Sequence, residues 1–389
     1  MITCELGKNR LKLLEGLVVV DNYGEKITEK ITILDEFINS SSEYAIKQAA
    51  ESIVEELQSI IDLVEHIEDT DVSQHFISKI TMIFAEIEGC LVDKITPNYC
   101  CAVAIAKDEA LYLAEWIEYH RLVGIDKFII YDNDSTDNTA DVLAPYVTMG
   151  IVEHILWQGV GQQNLAYLDA LRRLRYESEW LAFIDIDEFI VPLSSETIVE
   201  FLRELSDDVG QVLIDWRSFN SSGHITKPEG LVIENYTMRS ERNNCFKAIV
   251  RPSYALLDLI GARCPHWFDG IEGRTVNEEG IEIVGDLFTY IEGEGRLQHK
   301  MAVYHYLVKS KEEFFIRRSR AKADTGSTFC EERKITLEQL FIEADCYNYE
   351  KCFGKNKNDR YDIYDDYMFK YVDRVKEALT QTREFDQRR

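Results

Sequence analysis

From Tyr99 onward the chain alternates short apolar runs with amphipathic ones, and this alternation restricts it to few architectures. "CCAVAIA" (Cys100–Ala106) is a continuous apolar strand, and Ala110, Leu113, Ala114 and Ile117 then fall on one face of a helix. "KFIIY" (Lys127–Tyr131) is the next strand, and "DNDSTDNT" (Asp132–Thr139) is a turn that caps another helix. "VEHILW" (Val152–Trp157) is a third strand, "GQQNLAYLDALRRLRY" (Gly161–Tyr176) is helical, and "WLAFID" (Trp180–Asp185) is a fourth strand. Repeated strand–helix–strand units require an α/β fold with a mostly parallel sheet covered by helices. Ligands in such sheets collect at the carboxyl ends of the strands.

The fourth strand ends on an unusual charge cluster. "LAFIDIDEFIVP" (Leu181–Pro192) holds Asp185, Asp187 and Glu188 inside an otherwise apolar stretch. Unpaired carboxylates are costly to bury, so something must compensate them. Asp185 and Asp187 are two apart and point the same way at strand period. Two like charges on one side repel unless a cation joins them. Hard oxygen ligands at this spacing suit Mg2+ or Mn2+, especially an ion that also holds a diphosphate.

Other residues carry two readings each. Asp132, Asn133 and Asp134 could meet a nucleobase and ribose at the same sheet edge, or form a plain capping turn. His305, in "VYHYLV", is a core histidine unless the acids need another ligand. His224 and His266 sit in loops beside aromatic residues, which suits a sugar cleft or a loop anchor. Lys247 and Arg251 could meet a phosphate or form ion pairs. Ser310 and Glu313 make a capping box for a helix through "EEFFIRRSRAK".

Composition excludes some classes. A net charge of −27 argues against a broad nucleic-acid surface or a polybasic membrane anchor. No apolar run reaches the roughly 18 residues that span a bilayer. Nine scattered cysteines without a C-x-x-C pair fit reduced thiols, with Cys100 and Cys101 in the core. The expected location is therefore the cytosol, with peripheral membrane association left open. Neither a phosphate-binding G-x-x-x-x-G-K-[ST] loop nor a G-x-S-x-G elbow occurs.

Three regions are expected. Residues 1–98 read as a helical hairpin with one stripe through Ile46, Ile53, Leu57, Ile60 and Val64 and another through Ile77, Ile80, Phe84 and Leu91. This hairpin is a candidate association element. Residues 99–330 hold the α/β domain, and residues 331–389 form an acidic, aromatic helical extension.

Several stretches together resemble the family 92 glycosyltransferases and related bacterial family 2-like enzymes. They are "KDEALYLAEWIEYHRLVGIDKFIIYDNDSTDNT", "GQQNLAYLDAL", "WLAFIDIDEF", "WRSFNSSGH", "FKAIVRP" and "VYHYLVKSKEEFFIRRSRAKAD", in the family's order from Tyr99 to Gly326. The resemblance implies a GT-A architecture, a Rossmann-type sandwich, with a nucleotide-sugar donor and a divalent metal. Relatives include β-galactosyltransferases that use UDP-galactose. It implies that Asp185 and Asp187 form the D-x-D metal motif and that His305 completes the metal site. It further implies that Glu109, Asp132, Asn133 and Asp134 line the nucleoside pocket. Gln163 and Tyr167 would flank the donor, and Lys247 would face the diphosphate. Lys107-Asp108-Glu109 stands where relatives often carry an Asn before the Glu.

The expected activity is inverting transfer of a sugar to a glycan or glycolipid hydroxyl, with Mn2+ or Mg2+ neutralising the leaving diphosphate. A carboxylate must take the acceptor's proton, and Asp269 is preferred to Asp215 for that role. The rivals are a nucleotidyltransferase or other metal-dependent phosphoryl enzyme, and a non-catalytic nucleotide- or sugar-binding protein.

Overall fold

The computed structural model describes residues 98–175, 177–240, 245–255, 266–283, 299–319, 328–346 and 363–387. All lie in the unit Thr96–Arg389, one of two into which the chain divides. The helical hairpin expected within residues 1–98, and its role in association, fall outside the described residues.

The alternation expected from Tyr99 is realised. β1 (Asn98–Ala106), α1 (Ala110–Leu122), β2 (Lys127–Asp132), α2 (Thr139–Thr148), β3 (Val152–Leu156), α3 (Gln163–Arg173) and β4 (Ser178–Phe183) follow in turn. Then come β5 (Glu188–Pro192), α4 (Ile198–Glu204), β6 (Val209–Ser218), α5 (Val232–Asn235), β7 (Met238–Arg239), β8 (Phe246–Val250) and β9 (Arg274–Asn277). β10 (Met301–His305), α6 (Lys311–Arg318), α7 (Phe329–Arg333), α8 (Leu337–Cys346), β11 (Ile363–Tyr364) and α9 (Phe369–Gln387) complete the described elements.

The main sheet runs β3-β2-β1-β4-β8-β6-β10-β5, with β9 also paired to β6. Strands β3, β2, β1 and β4 are mutually parallel, and β8 enters antiparallel between β4 and β6. β10 lies parallel to β6 and antiparallel to β5. The first three strands step one way from β1, and β4 lies on its other side. The strand order therefore reverses between β1 and β4, where open α/β sheets form their binding crevice.

Both faces of the sheet are covered, as the continuous apolar run Cys100–Ala106 of β1 demands. Cys100, Ala102 and Ala104 face a core with Trp116 and Tyr119 of α1, whereas Cys101 and Val103 face Tyr167 and Leu171 of α3. Both cysteines are fully buried free thiols. α9 returns over α1: Tyr371 packs edge-on against Tyr119 at 5.1 Å, and the Thr382 hydroxyl donates to Glu118 Oε1 at 2.6 Å. Within the described part of residues 331–389 lie α8 and α9, together with β11, which pairs with β7. No described helix is long and apolar enough to cross a membrane.

The Ser310–Glu313 capping box forms at the start of α6. Glu313 Oε1 also accepts from the Tyr112 hydroxyl at 2.7 Å, and Oε2 from the Tyr236 hydroxyl at 2.5 Å. One carboxylate thus caps α6 and fastens it to α1.

Candidate active site

The β1–β2 register sets Ala106 opposite Asp132, so the two loops after these strands leave the sheet side by side. Asn133 N–H donates to the Ala106 carbonyl at 2.8 Å. Within the second loop, Asp132 Oδ1 accepts Ser135 N–H at 3.0 Å and Oδ2 lies 3.0 Å from His154 Nε2. The Asn133 amide donates to the carbonyls of Trp157 and Gly159, both at 2.8 Å, and Asp134 Oδ2 accepts Gly159 N–H at 3.1 Å. Gly159 has φ +110°, which opens its backbone to both residues. Asp132 and Asn133 are buried, and their polar groups build the loop.

The acids after β4 meet two cations. Lys247, buried at the start of β8, places Nζ 2.8 Å from Asp185 Oδ2 and 3.1 Å from Glu188 Oε2. Glu188 Oε2 also accepts Asp185 N–H at 2.9 Å. Gln163 Nε2 lies 3.4 Å from Asp185 Oδ1 and donates to the Tyr167 hydroxyl at 3.2 Å. Asp187 pairs with the Arg317 guanidinium, and its Oδ2 lies 3.2 Å from His305 Nε2. The Trp116 indole N–H contacts the carbonyls of Asp185 at 3.1 Å and Glu188 at 2.8 Å, which staples α1 to the turn.

These partners divide the three acids by charge. Burial pushes the Asp187 carboxyl up, but Arg317 and His305 outweigh it and hold it well below the usual range. Burial likewise raises Asp185, and Lys247 more than offsets it, so Asp185 is lowered. Glu188 is fully buried, and there desolvation wins over Lys247, so its carboxyl is raised well above the ordinary value. Burial lowers His305 despite Asp187, which favours the neutral imidazole that a metal requires. Trp216 packs edge-on to the His305 ring at 4.2 Å, and Glu188 Oε1 lies 3.9 Å from its Nδ1.

Fitness for a divalent ion follows from this geometry. Among the described residues, no three His, Cys, Asp or Glu side chains form a ready-made cage. Asp187 and His305 instead form a two-sided corner, and a guanidinium already stands on the carboxylate. The corner is therefore built for positive charge. With Asp185 two residues away, it fits a hard ion that brings oxygen ligands of its own, as a diphosphate complex does.

The other expected residues are placed as follows. Glu109 stands at the N-cap of α1 and lines a cavity of about 310 Å³ with Tyr112, Lys309 and Arg317. Asp269 accepts the Trp267 indole N–H at 3.0 Å. Asp215 is fully buried on β6 opposite Phe246. His224 lies 3.2 Å from the Asn235 carbonyl, as a loop anchor does. His266 Nδ1 lies 2.9 Å from the Phe246 carbonyl, and burial and Lys247 push its pKa down to about 3. Arg251 pairs with Glu179 and covers the Trp180 ring at 4.2 Å.

Arg317 and Lys309 were missed by sequence reasoning. Arg317 is four residues after Glu313 on the capped helix, so it shares the face that Glu313 turns toward the sheet edge. That spacing was the available signal. Nothing local marks Lys309, whose position depends on tertiary packing.

Residues 98–279 match the sequence profile of glycosyltransferase family 92. A family 92 protein of Oryza sativa subsp. japonica is 33% identical over 163 residues, which are 41% of this chain and 28% of that protein. One from Ricinus communis is 29% identical over 195 residues, 48% of this chain and 35% of that protein. The chain thus spans about a third of the length of these curated relatives. Among solved structures, residues 1–349 of S. aureus TarS in complex with UDP align at a TM-score of 0.31 and 15% identity, covering 75% of this chain and 92% of that one. Glucosyl-3-phosphoglycerate synthase from Mycobacterium tuberculosis aligns at 0.27 and 14%, covering 49% and 72%. Both structural likenesses are too distant to carry an argument.

Proposed function

We propose, from the match of residues 98–279 to the profile of glycosyltransferase family 92, that this chain transfers a sugar from a nucleotide-sugar donor to a glycan or glycoconjugate hydroxyl, with inversion. The carrying observation is the acid pair Asp185 and Asp187 at the strand-order reversal, each held ionised by a cation. Asp185, Asp187 and His305 would hold Mn2+ or Mg2+, which supplies charge neutralisation at the leaving diphosphate. Gln163, Tyr167 and Lys247 orient Asp185. Glu109 and the loop of Asp132, Asn133 and Asp134 shape the nucleoside end. Asp269 is the proposed proton acceptor, and its partial exposure suits that role better than the fully buried Asp215.

The family resemblance favours a UDP-sugar, with UDP-galactose the first to test. At a hundredfold excess over Kd, the donor should stabilise the fold by about 2.7 kcal/mol, read as a shift in thermal unfolding. That shift should need Mn2+ and vanish in EDTA. UDP bound as tightly in EDTA as in Mn2+ would sink the metal bridge. His305→Ala should weaken Mn2+ in the presence of UDP. Donor binding without UDP release across an acceptor panel would point to a non-catalytic binding protein.

A further inference from the structure

Lys309 is 3% exposed, yet its Nζ has no hydrogen-bond partner among the described residues. It stands 3.5 Å from the centroid of the Tyr112 ring, which attracts an ammonium but accepts no hydrogen bond in the ordinary sense. Its backbone φ is +55°, a conformation costly for a residue with a Cβ. Burial lowers its pKa against the opposing pull of Glu109 and Asp187. The lysine is thus held, at some expense, where its charge is not met.

Lys309 shares the cavity of about 310 Å³ with Arg317, whose guanidinium rests on Asp187. Lys247 already has two carboxylate partners. The cavity therefore presents one cation without an acceptor and one whose acceptor is a candidate metal ligand. Asp187 Oδ2 is contacted by both Arg317 and His305. A divalent ion that takes Oδ2 must compete with the guanidinium for that oxygen.

We propose that Lys309 and Arg317 form a cradle for the donor's diphosphate, and that Arg317 exchanges partners, resting on Asp187 until a divalent ion takes that carboxylate and then turning onto the phosphate oxygens. This rests on the nucleotide-sugar reading of the site. An ion arriving alone must displace Arg317 and leave three positive centres together. An ion arriving with a diphosphate brings the anion that the two side chains need. The planar guanidinium suits phosphate oxygens in a bidentate grip, and the ammonium adds a point charge. Metal and diphosphate thus bind with positive coupling, and each raises the other's affinity by the same factor.

The test is titration of Mn2+ into the full chain, following the electron paramagnetic resonance of free Mn2+ with and without inorganic pyrophosphate, and separately with UDP. Arg317→Ala should bind Mn2+ alone about tenfold more tightly and Mn2+-pyrophosphate about tenfold more weakly, since one charge-assisted bond is lost in each state. Lys309→Met should tighten Mn2+ alone less than Arg317→Ala does and weaken pyrophosphate about tenfold. Arg317→Lys should restore part of the pyrophosphate affinity, which a merely misfolded variant would not. Unchanged pyrophosphate binding in both variants, or Arg317→Ala binding Mn2+ alone no more tightly, overturns the proposal. If UDP still binds the wild type in that case, the nucleotide-sugar reading stands without the cradle. A wild type that binds Mn2+-pyrophosphate but not UDP, with the variants behaving as expected, supports the cradle and removes the nucleotide.

Discussion

Lys247 is the residue on which the acidic turn depends most. Its ammonium is shared by Asp185 and Glu188, and it is 1% exposed. Breaking a buried ion pair by removing one partner typically costs 3–5 kcal/mol. Glu188 can relieve part of that cost by keeping a proton. Lys247→Met should therefore destabilise by about 3 kcal/mol, measured by urea unfolding. A loss under about 1 kcal/mol would mean that the acids do not rely on it. At this scale the sequence was partly readable. Asp185 and Asp187 stood out because charge inside an apolar run is expensive wherever the chain folds. Lys247 was singled out but not as the partner of Asp185, and Arg317 was not, because they lie 62 and 130 residues from their partners.

Among the elements, α1 and α6 carry the site by different means. α6 starts at a capping box that was legible from Ser310 and Glu313, since the interaction is local. The same motif recurs at Thr328 and Glu331 on the exposed start of α7. Ser310→Ala should cost about 2 kcal/mol because its Glu313 partner also serves Tyr112 and Tyr236, whereas Thr328→Ala should cost about 0.5 kcal/mol. Equal losses in chemical denaturation would show that α6 gains nothing from its anchorage.

α1 is fixed to β5 by His120, whose Nδ1 lies 2.8 Å from the Trp116 carbonyl while Nε2 accepts Ile190 N–H at 3.1 Å. That pattern requires Nδ1–H and a neutral ring, and burial pushes the pKa down to about 3. Between about pH 3 and the unfolded value near 6.5, the unfolded chain holds the extra proton, so this histidine's contribution is lost as pH falls through that window. Glu115, raised to about 7 by burial, works in the opposite sense between roughly pH 4.3 and 7. The bare pH profile of the protein therefore mixes both groups. The difference isolates one: between pH 6 and 5, wild type should lose about 1.2 kcal/mol more than His120→Gln. Parallel profiles would show that the ring is protonated in the fold.

Over the whole molecule, charge is the dominant long-range quantity. A net charge of −27 on 389 residues repels itself in the compact state. Raising ionic strength from about 20 to about 300 mM shortens the screening length below about 10 Å and should raise the melting temperature. A falling temperature would mean that attractive surface pairs outweigh the repulsion. The α/β class was legible at this scale because short continuous apolar runs and period-3.6 patterns alternate strongly from β1 to β4. The later strands were not placed from sequence. β8, β6, β10 and β5 assemble out of chain order, and no local pattern encodes which neighbour each strand takes.

The edge position of β5 has a consequence for biosynthesis. Glu188–Pro192 emerges directly after the acidic turn, yet among the described residues its only sheet partner is β10, which ends at His305. A ribosome adding about 5–20 residues per second leaves the acidic turn without its partner strand, its histidine and its arginine for roughly 6–25 s. A nascent chain arrested before Met301 would carry both acids but lack the strand and the histidine that close them, so the proposed metal site should form only once synthesis has passed His305.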